Sequence, residues 1–158
     1  MLVSPSLAEE QKENKKSFEK LKSLVGTWSG KMKMEGKEEE MRLVYRLVAG
    51  GSVIEERSFP GTPKEMVTMY HEQGDKLVLT HYCMLGNQPR LALAKTEKDN
   101  LHFDFDPSCG IDVKKEMHMH SVILTFVDKD TIKQNWTMYA GGKAMEKHPI
   151  TLKRVKTK

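Results

Sequence analysis

From Thr27 to Val155 apolar side chains return at every second position, and the segments that carry them are joined mostly by short links of turn chemistry. The links read Glu35-Gly36-Lys37, Ala49-Gly50-Gly51, Pro60-Gly61-Thr62-Pro63, Gln73-Gly74-Asp75, Gly86-Asn87-Gln88-Pro89, Lys98-Asp99-Asn100, Asp128-Lys129-Asp130 and Gly141-Gly142. A parallel crossover needs a dozen residues or more, so links this short force neighbouring strands to pair antiparallel in sequence order. The strands predicted in this way are 27–35, 40–48, 52–59, 65–72, 76–84, 90–96, 100–106, 116–127, 131–139 and 148–155. A meander of about ten strands either stays a large open sheet or closes on itself, and closure removes its exposed edges. The expected fold is therefore mainly β: an up-and-down antiparallel barrel of about ten strands.

One segment breaks the period of two. Residues 7–24 hold Glu, Lys, Gln and Leu without Gly or Pro, and Phe18, Leu21 and Val25 recur at helical spacing. They predict an amphipathic N-terminal α-helix ending at Gly26, capped by Ser6 with Glu9 completing a capping box. The domain reading is a disordered N-terminus over 1–6 and a single barrel domain over 7–158.

Alternation also predicts an interior. Met41, Leu43, Tyr45 and Leu47 share one face, as do Leu77, Leu79, His81 and Cys83, then Leu101, Phe103 and Phe105, then Ile132, Gln134, Trp136 and Met138, and finally His148, Ile150 and Leu152. Charges such as Arg42, Arg46, Lys133 and Lys153 fall on the opposite face. Eight strands enclose just enough room for side chains or one small ligand, so ten leave more. The chain has 11 methionines, whose flexible thioethers suit an irregular hollow.

Composition narrows the function classes. Apolar residues make up 38% of the 158-residue chain and charged residues 30%, the balance of a globular protein. The net charge of +4 is too small and too evenly interleaved to argue for nucleic acid, and the C-terminal Lys153, Arg154, Lys156 and Lys158 read as a solvated tail. No apolar run is long enough for a signal core or a membrane span, and two cysteines, Cys83 and Cys109, suit a reducing compartment; the expected location is cytoplasmic. No glycine-rich phosphate loop, nucleophile elbow or His-Glu-x-x-His zinc signature occurs. The Asn135-Trp136-Thr137 triplet falls inside a strand and is set aside as a glycosylation acceptor.

Leu24-Val25-Gly26-Thr27-Trp28-Ser29-Gly30 places a Gly-x-Trp at the start of the first barrel strand. This resembles the entry signature of the calycin superfamily, in which the Trp closes the barrel bottom; its Gly-Thr-Trp-x-Gly form is closer to nitrobindin-like haem barrels and to uncharacterised bacterial lipocalin-like domains. The bacterial group also resembles this chain at His81-Tyr82-Cys83 and Gly86-Asn87-Gln88-Pro89-Arg90. The resemblance implies a ligand-holding barrel and, on the nitrobindin side, a haem ligand near the C-terminus, where His148 stands. The chain departs from the nitrobindin pattern at Lys31, which follows Gly30 where that pattern continues Gly-x-Gly.

The candidate ligand cavity comprises Trp28, Leu43, Tyr45, Leu79, His81, Cys83, Arg90, Phe103, Gln134 and Trp136, an apolar hollow with a few fixed polar groups. Trp28 would close one end, and Arg90 would hold a ligand carboxylate at the mouth. The function expected first is non-catalytic binding of a small hydrophobic or amphipathic molecule. A haem protein acting on reactive nitrogen species through His148 is one alternative, and an enzyme using His81 and Cys83 is another. A packed barrel that pairs as a homodimer is a structural alternative. His118 and His120 should project to one side, roughly 6.6 Å apart, and make at most half of a metal site.

Overall fold

The computed structural model describes residues 6–34, 36–145, 147 and 149–156. Helix α1 (Leu7–Lys22) precedes strands β1 (Gly26–Met34), β2 (Lys37–Val48), β3 (Val53–Ser58), β4 (Met66–Gln73), β5 (Lys76–Tyr82), β6 (Arg90–Glu97), β7 (Asn100–Phe105), β8 (His118–Asp128), β9 (Thr131–Ala140), β10 (Lys143–Ala144) and β11 (Ile150–Arg154). Each strand from β1 to β9 pairs antiparallel with the next, β9 pairs with β11, and β11 returns to β1. Ten strands thus close a barrel, and β10 is a two-residue ladder added to the end of β9. The meander and its closure follow the sequence expectation.

The helix begins as its sequence dictates. Ser6 Oγ accepts from the Glu9 amide at 3.4 Å, while Glu9 Oε2 accepts from the Ser6 amide at 2.8 Å, so the capping box is complete. This puts Ser6 in the capped helix start; residues 1–5 of the N-terminal segment lie outside the described residues. The buried face of α1, carrying Phe18 and Leu21, packs on β4, β5 and β6. Gln11 and Asn14 donate to Asp75 in the β4–β5 turn, and Lys20 Nζ donates to the Lys98 carbonyl at 3.2 Å in the β6–β7 turn. These contacts seat the helix across one end of the barrel.

Closure at that end turns on Trp28. Its indole Nε1 donates to the Leu24 carbonyl at 2.8 Å, and the Arg154 guanidinium lies 4.2 Å above its ring. Arg154 then donates to the carbonyls of Val25 (3.0 Å), Ser23 (2.8 Å) and Lys129 (3.2 Å), tying the last strand to the helix exit. Two residues further on, Gly30 is required because a Cβ there would collide with the Thr151 carbonyl oxygen of β11. The Gly-x-Trp-x-Gly run is therefore the seam of the barrel. Its glycine admits the partner strand, and its Trp plugs the hole.

The interior divides by depth. Leu21, Leu24, Trp28, Ile54, Leu77 and Leu101 are almost fully buried around the helix-covered end, each contributing about 1.5–3 kcal/mol of apolar burial. Toward the other end the longer links gather, over residues 59–65, 83–89 and 106–117.

Candidate ligand site

The end away from α1 holds a cavity of about 310 Å³. Six of the chain's 11 methionines line it: Met32, Met41, Met66, Met84, Met119 and Met138. They come from β1, β2, β4, β8, β9 and the link after β5. Met84 and Leu85, on that link, are 54% and 43% exposed and form the outer rim. Trp136, Phe59 and Ile150 add apolar wall, and His81, Cys83 and Ser58 add its polar atoms.

His81 is the polar residue that stands out. It is only 3% exposed, its Nδ1 lies 2.8 Å from Thr68 Oγ1, and its ring tilts over Trp136 with centroids 4.8 Å apart. Nε2 has no partner; among buried side-chain atoms left unpaired, it is the one on the cavity wall. An orphaned nitrogen of this kind costs about 1–3 kcal/mol, which calls for a reason. Burial holds the imidazole down to about 4, so it is neutral at physiological pH. Burial likewise pushes the Cys83 thiol up, against the direction a nucleophile needs.

Below this wall lies a polar cluster in which Tyr45, Gln134 and Trp136, placed inside by the alternation, meet an acid and a tyrosine that it did not single out, Glu56 and Tyr70. Glu56, 1% exposed, accepts from Tyr70 Oη at 2.8 Å and from Gln134 Nε2 at 3.1 Å; Gln134 Nε2 also donates to Tyr45 Oη at 2.8 Å. Trp136 Nε1 donates to Gln134 Oε1 at 3.1 Å, and Ser58 Oγ approaches Glu56 Oε1 at 3.5 Å. Among the described residues no cation pairs with this carboxylate, and desolvation raises its pKa despite the donors around it. The same burial, with the Glu56 charge beside them, raises both tyrosines well above the usual phenol value.

Of the sequence-predicted site residues, His81, Cys83 and Trp136 meet at the cavity, and Trp28 lies at the opposite, closed end. Leu43, Tyr45, Leu79, Phe103 and Gln134 point inward but are packed below the cavity, because neighbouring side chains and the Glu56 hydrogen bonds fill that level. Arg90 stands apart from the cavity, its Nε 3.0 Å from Asp106 Oδ2, so no free guanidinium waits there for a ligand carboxylate. His148 lies outside the described residues. His118 and His120 are closer than a regular strand allows, Nε2 to Nδ1 at 2.9 Å, because the register slips between Met119 and Ser121. His120 is stacked on Tyr139 at 3.6 Å and on Phe105 at 4.9 Å. Among the described residues no group of three or more His, Cys, Asp or Glu side chains is placed to hold a metal ion, and no helix is long and apolar enough to cross a membrane.

Two solved structures share the architecture. Rv2717c from M. tuberculosis is 14% identical over 89% of this chain and 98% of its own length, with a TM-score of 0.57. A protein of unknown function of the DUF3598 family from Nostoc punctiforme is 12% identical over 85% of this chain, with a TM-score of 0.54; the match spans 49% of that chain. The likeness is one of fold. No family model matches the chain, and no curated protein is significantly similar to it.

Proposed function

We propose that this chain is a calycin-like carrier or sensor that holds a small hydrophobic molecule in the methionine-lined cavity, without catalysis. The observation that carries the reading is an apolar hollow, open at its rim, whose wall includes His81 with a buried nitrogen, Nε2, that has no hydrogen-bond partner. The unpaired thiols of Cys83 and Cys109 favour a cytoplasmic setting. The upward-shifted Cys83 supports binding over thiol catalysis. About 310 Å³ is roughly twice the ~150 Å³ that admits benzene, so a guest smaller than haem fits the hollow without protruding from its rim.

Native mass spectrometry of the protein mixed with a panel of neutral hydrophobic compounds tests the reading. Wild type should retain one equivalent of at least one compound, and Met138→Lys, which places a charge on the wall, should retain none while keeping its β circular dichroism. A wild type that retains nothing contradicts the carrier role. Haemin gives the parallel check: a Soret band dependent on His81 or His148 would replace this reading with a haem protein.

A further inference from the structure

The cavity wall specifies more than a hydrophobic guest. Among the described residues no Lys, Arg, Asp or Glu side chain lies on it, so a carboxylate or ammonium group would meet no counter-charge from them. The buried acid Glu56 lies 3.5 Å from the Ser58 hydroxyl of the wall and offers an anion no counter-charge. Trp136 offers only its ring, since its N–H is committed to Gln134. Among the buried side-chain nitrogen and oxygen atoms of the described wall residues, His81 Nε2 is the one without a partner. The wall's other polar groups are the Cys83 thiol and the Ser58 hydroxyl, which donates to Glu56. Six thioethers face the same space, and sulfur makes favourable contacts with the edges of aromatic rings that it does not make with alkyl chains. The volume, about twice that of a hollow that takes up one benzene ring, suits two fused rings.

From these features we infer that the ligand is an uncharged, planar, two-ring aromatic compound with one hydroxyl or ring nitrogen hydrogen-bonded to His81 Nε2. The inference rests on the binding role proposed above and narrows it to a chemical class. A fatty acid or other amphiphilic anion is disfavoured, as is a long alkyl chain.

Five matched probes decide the matter by calorimetry at pH 7.5: 2-naphthol, naphthalene, 2-naphthoate, 1-decanol and decanoate. 2-Naphthol should bind at least 10-fold more tightly than any of the other four. His81→Phe should bring 2-naphthol down to the affinity of naphthalene. A second variant guards against a folding defect in the first. The double replacement Met119→Leu and Met138→Leu keeps the apolar volume, and should weaken 2-naphthol about 3-fold or more while leaving 1-decanol unchanged. Decanoate or 1-decanol binding as tightly as 2-naphthol overturns this inference alone, as does a naphthol-to-naphthalene ratio that His81→Phe leaves intact. Binding by none of the five overturns the cavity's carrier role and this inference together.

Discussion

The two ends of the barrel are built from different materials. At the helix-covered end a rigid indole, a guanidinium and three backbone carbonyls lock one another, with Arg154 stacked on Trp28 and donating to Val25, Ser23 and Lys129. At the other end unbranched thioethers surround empty space, and a buried imidazole nitrogen has no partner. Both ends are apolar, yet only one holds an unpaired nitrogen on the wall of a methionine-lined hollow. On the proposed binding role, stability and binding fall to opposite ends, and substitutions should sort accordingly.

The largest effect is expected at the closed end. Trp28→Ala opens a cavity beneath α1 and should cost about 3–5 kcal/mol in urea unfolding, while the folded fraction keeps its ligand affinity. Loss of binding in folded Trp28→Ala would break the division of labour.

The open end should reveal itself through pH rather than through packing. The folded His81 imidazole titrates at about 4 because it is buried, whereas the unfolded one titrates near 6.5. Above pH 6.5 neither state holds that proton. Between about 6.5 and 4 the unfolded chain takes it up and the folded chain does not, so stability falls as pH drops, by about 3 kcal/mol in all. Glu56 acts in the opposite sense: its raised folded pKa makes the folded chain the better proton binder above the usual carboxylate value, so its contribution declines as pH rises. His120, also lowered by burial and by neighbouring His118, adds to the acid loss. His81→Phe should therefore flatten the slope of stability against pH between about 6.5 and 4, and an unchanged slope would mean that the imidazole is not buried as described.

Smaller effects sharpen the comparison. Arg154→Ala removes the stacked cation and its carbonyl bonds and should cost about 2 kcal/mol, with amide exchange of α1 accelerated before that of the strands. Met138→Leu at the open end should change stability by less than about 1.5 kcal/mol, because volume and apolarity are kept.

Much of the fold was legible because its signals are local. The capping box needed only Ser6 and Glu9, and strand bounds followed from alternation and turn residues such as Gly74 and Gly86. The site was legible only in part, because alternation reports which face is inside and not how deep along the barrel a residue sits. Met41 and Leu43 share a face on β2, yet one lines the cavity and the other is sealed in the core. Depth depends on which end α1 covers, a contact made far away in sequence. Arg90 could not be recognised as paired for the same reason, since its partner Asp106 stands beyond the following strand. Glu56 was hidden by its neighbour: in Val53-Ile54-Glu55-Glu56 either parity buries one apolar residue and one acid. The structure buries both acids, Glu55 beneath Arg46 and Arg57 and Glu56 inside. The contact between His118 and His120 arises where the β8–β9 register shifts, which strict alternation cannot foresee.

The chain has two tryptophans, one at each end of the barrel, and they make the central claim directly measurable. In a ¹H–¹⁵N correlation spectrum titrated with 2-naphthol, the Trp136 indole cross-peak should move saturably while that of Trp28 stays in place. Two stationary peaks, or a Trp28 peak that moves while Trp136 does not, would contradict a ligand site at the methionine-lined end.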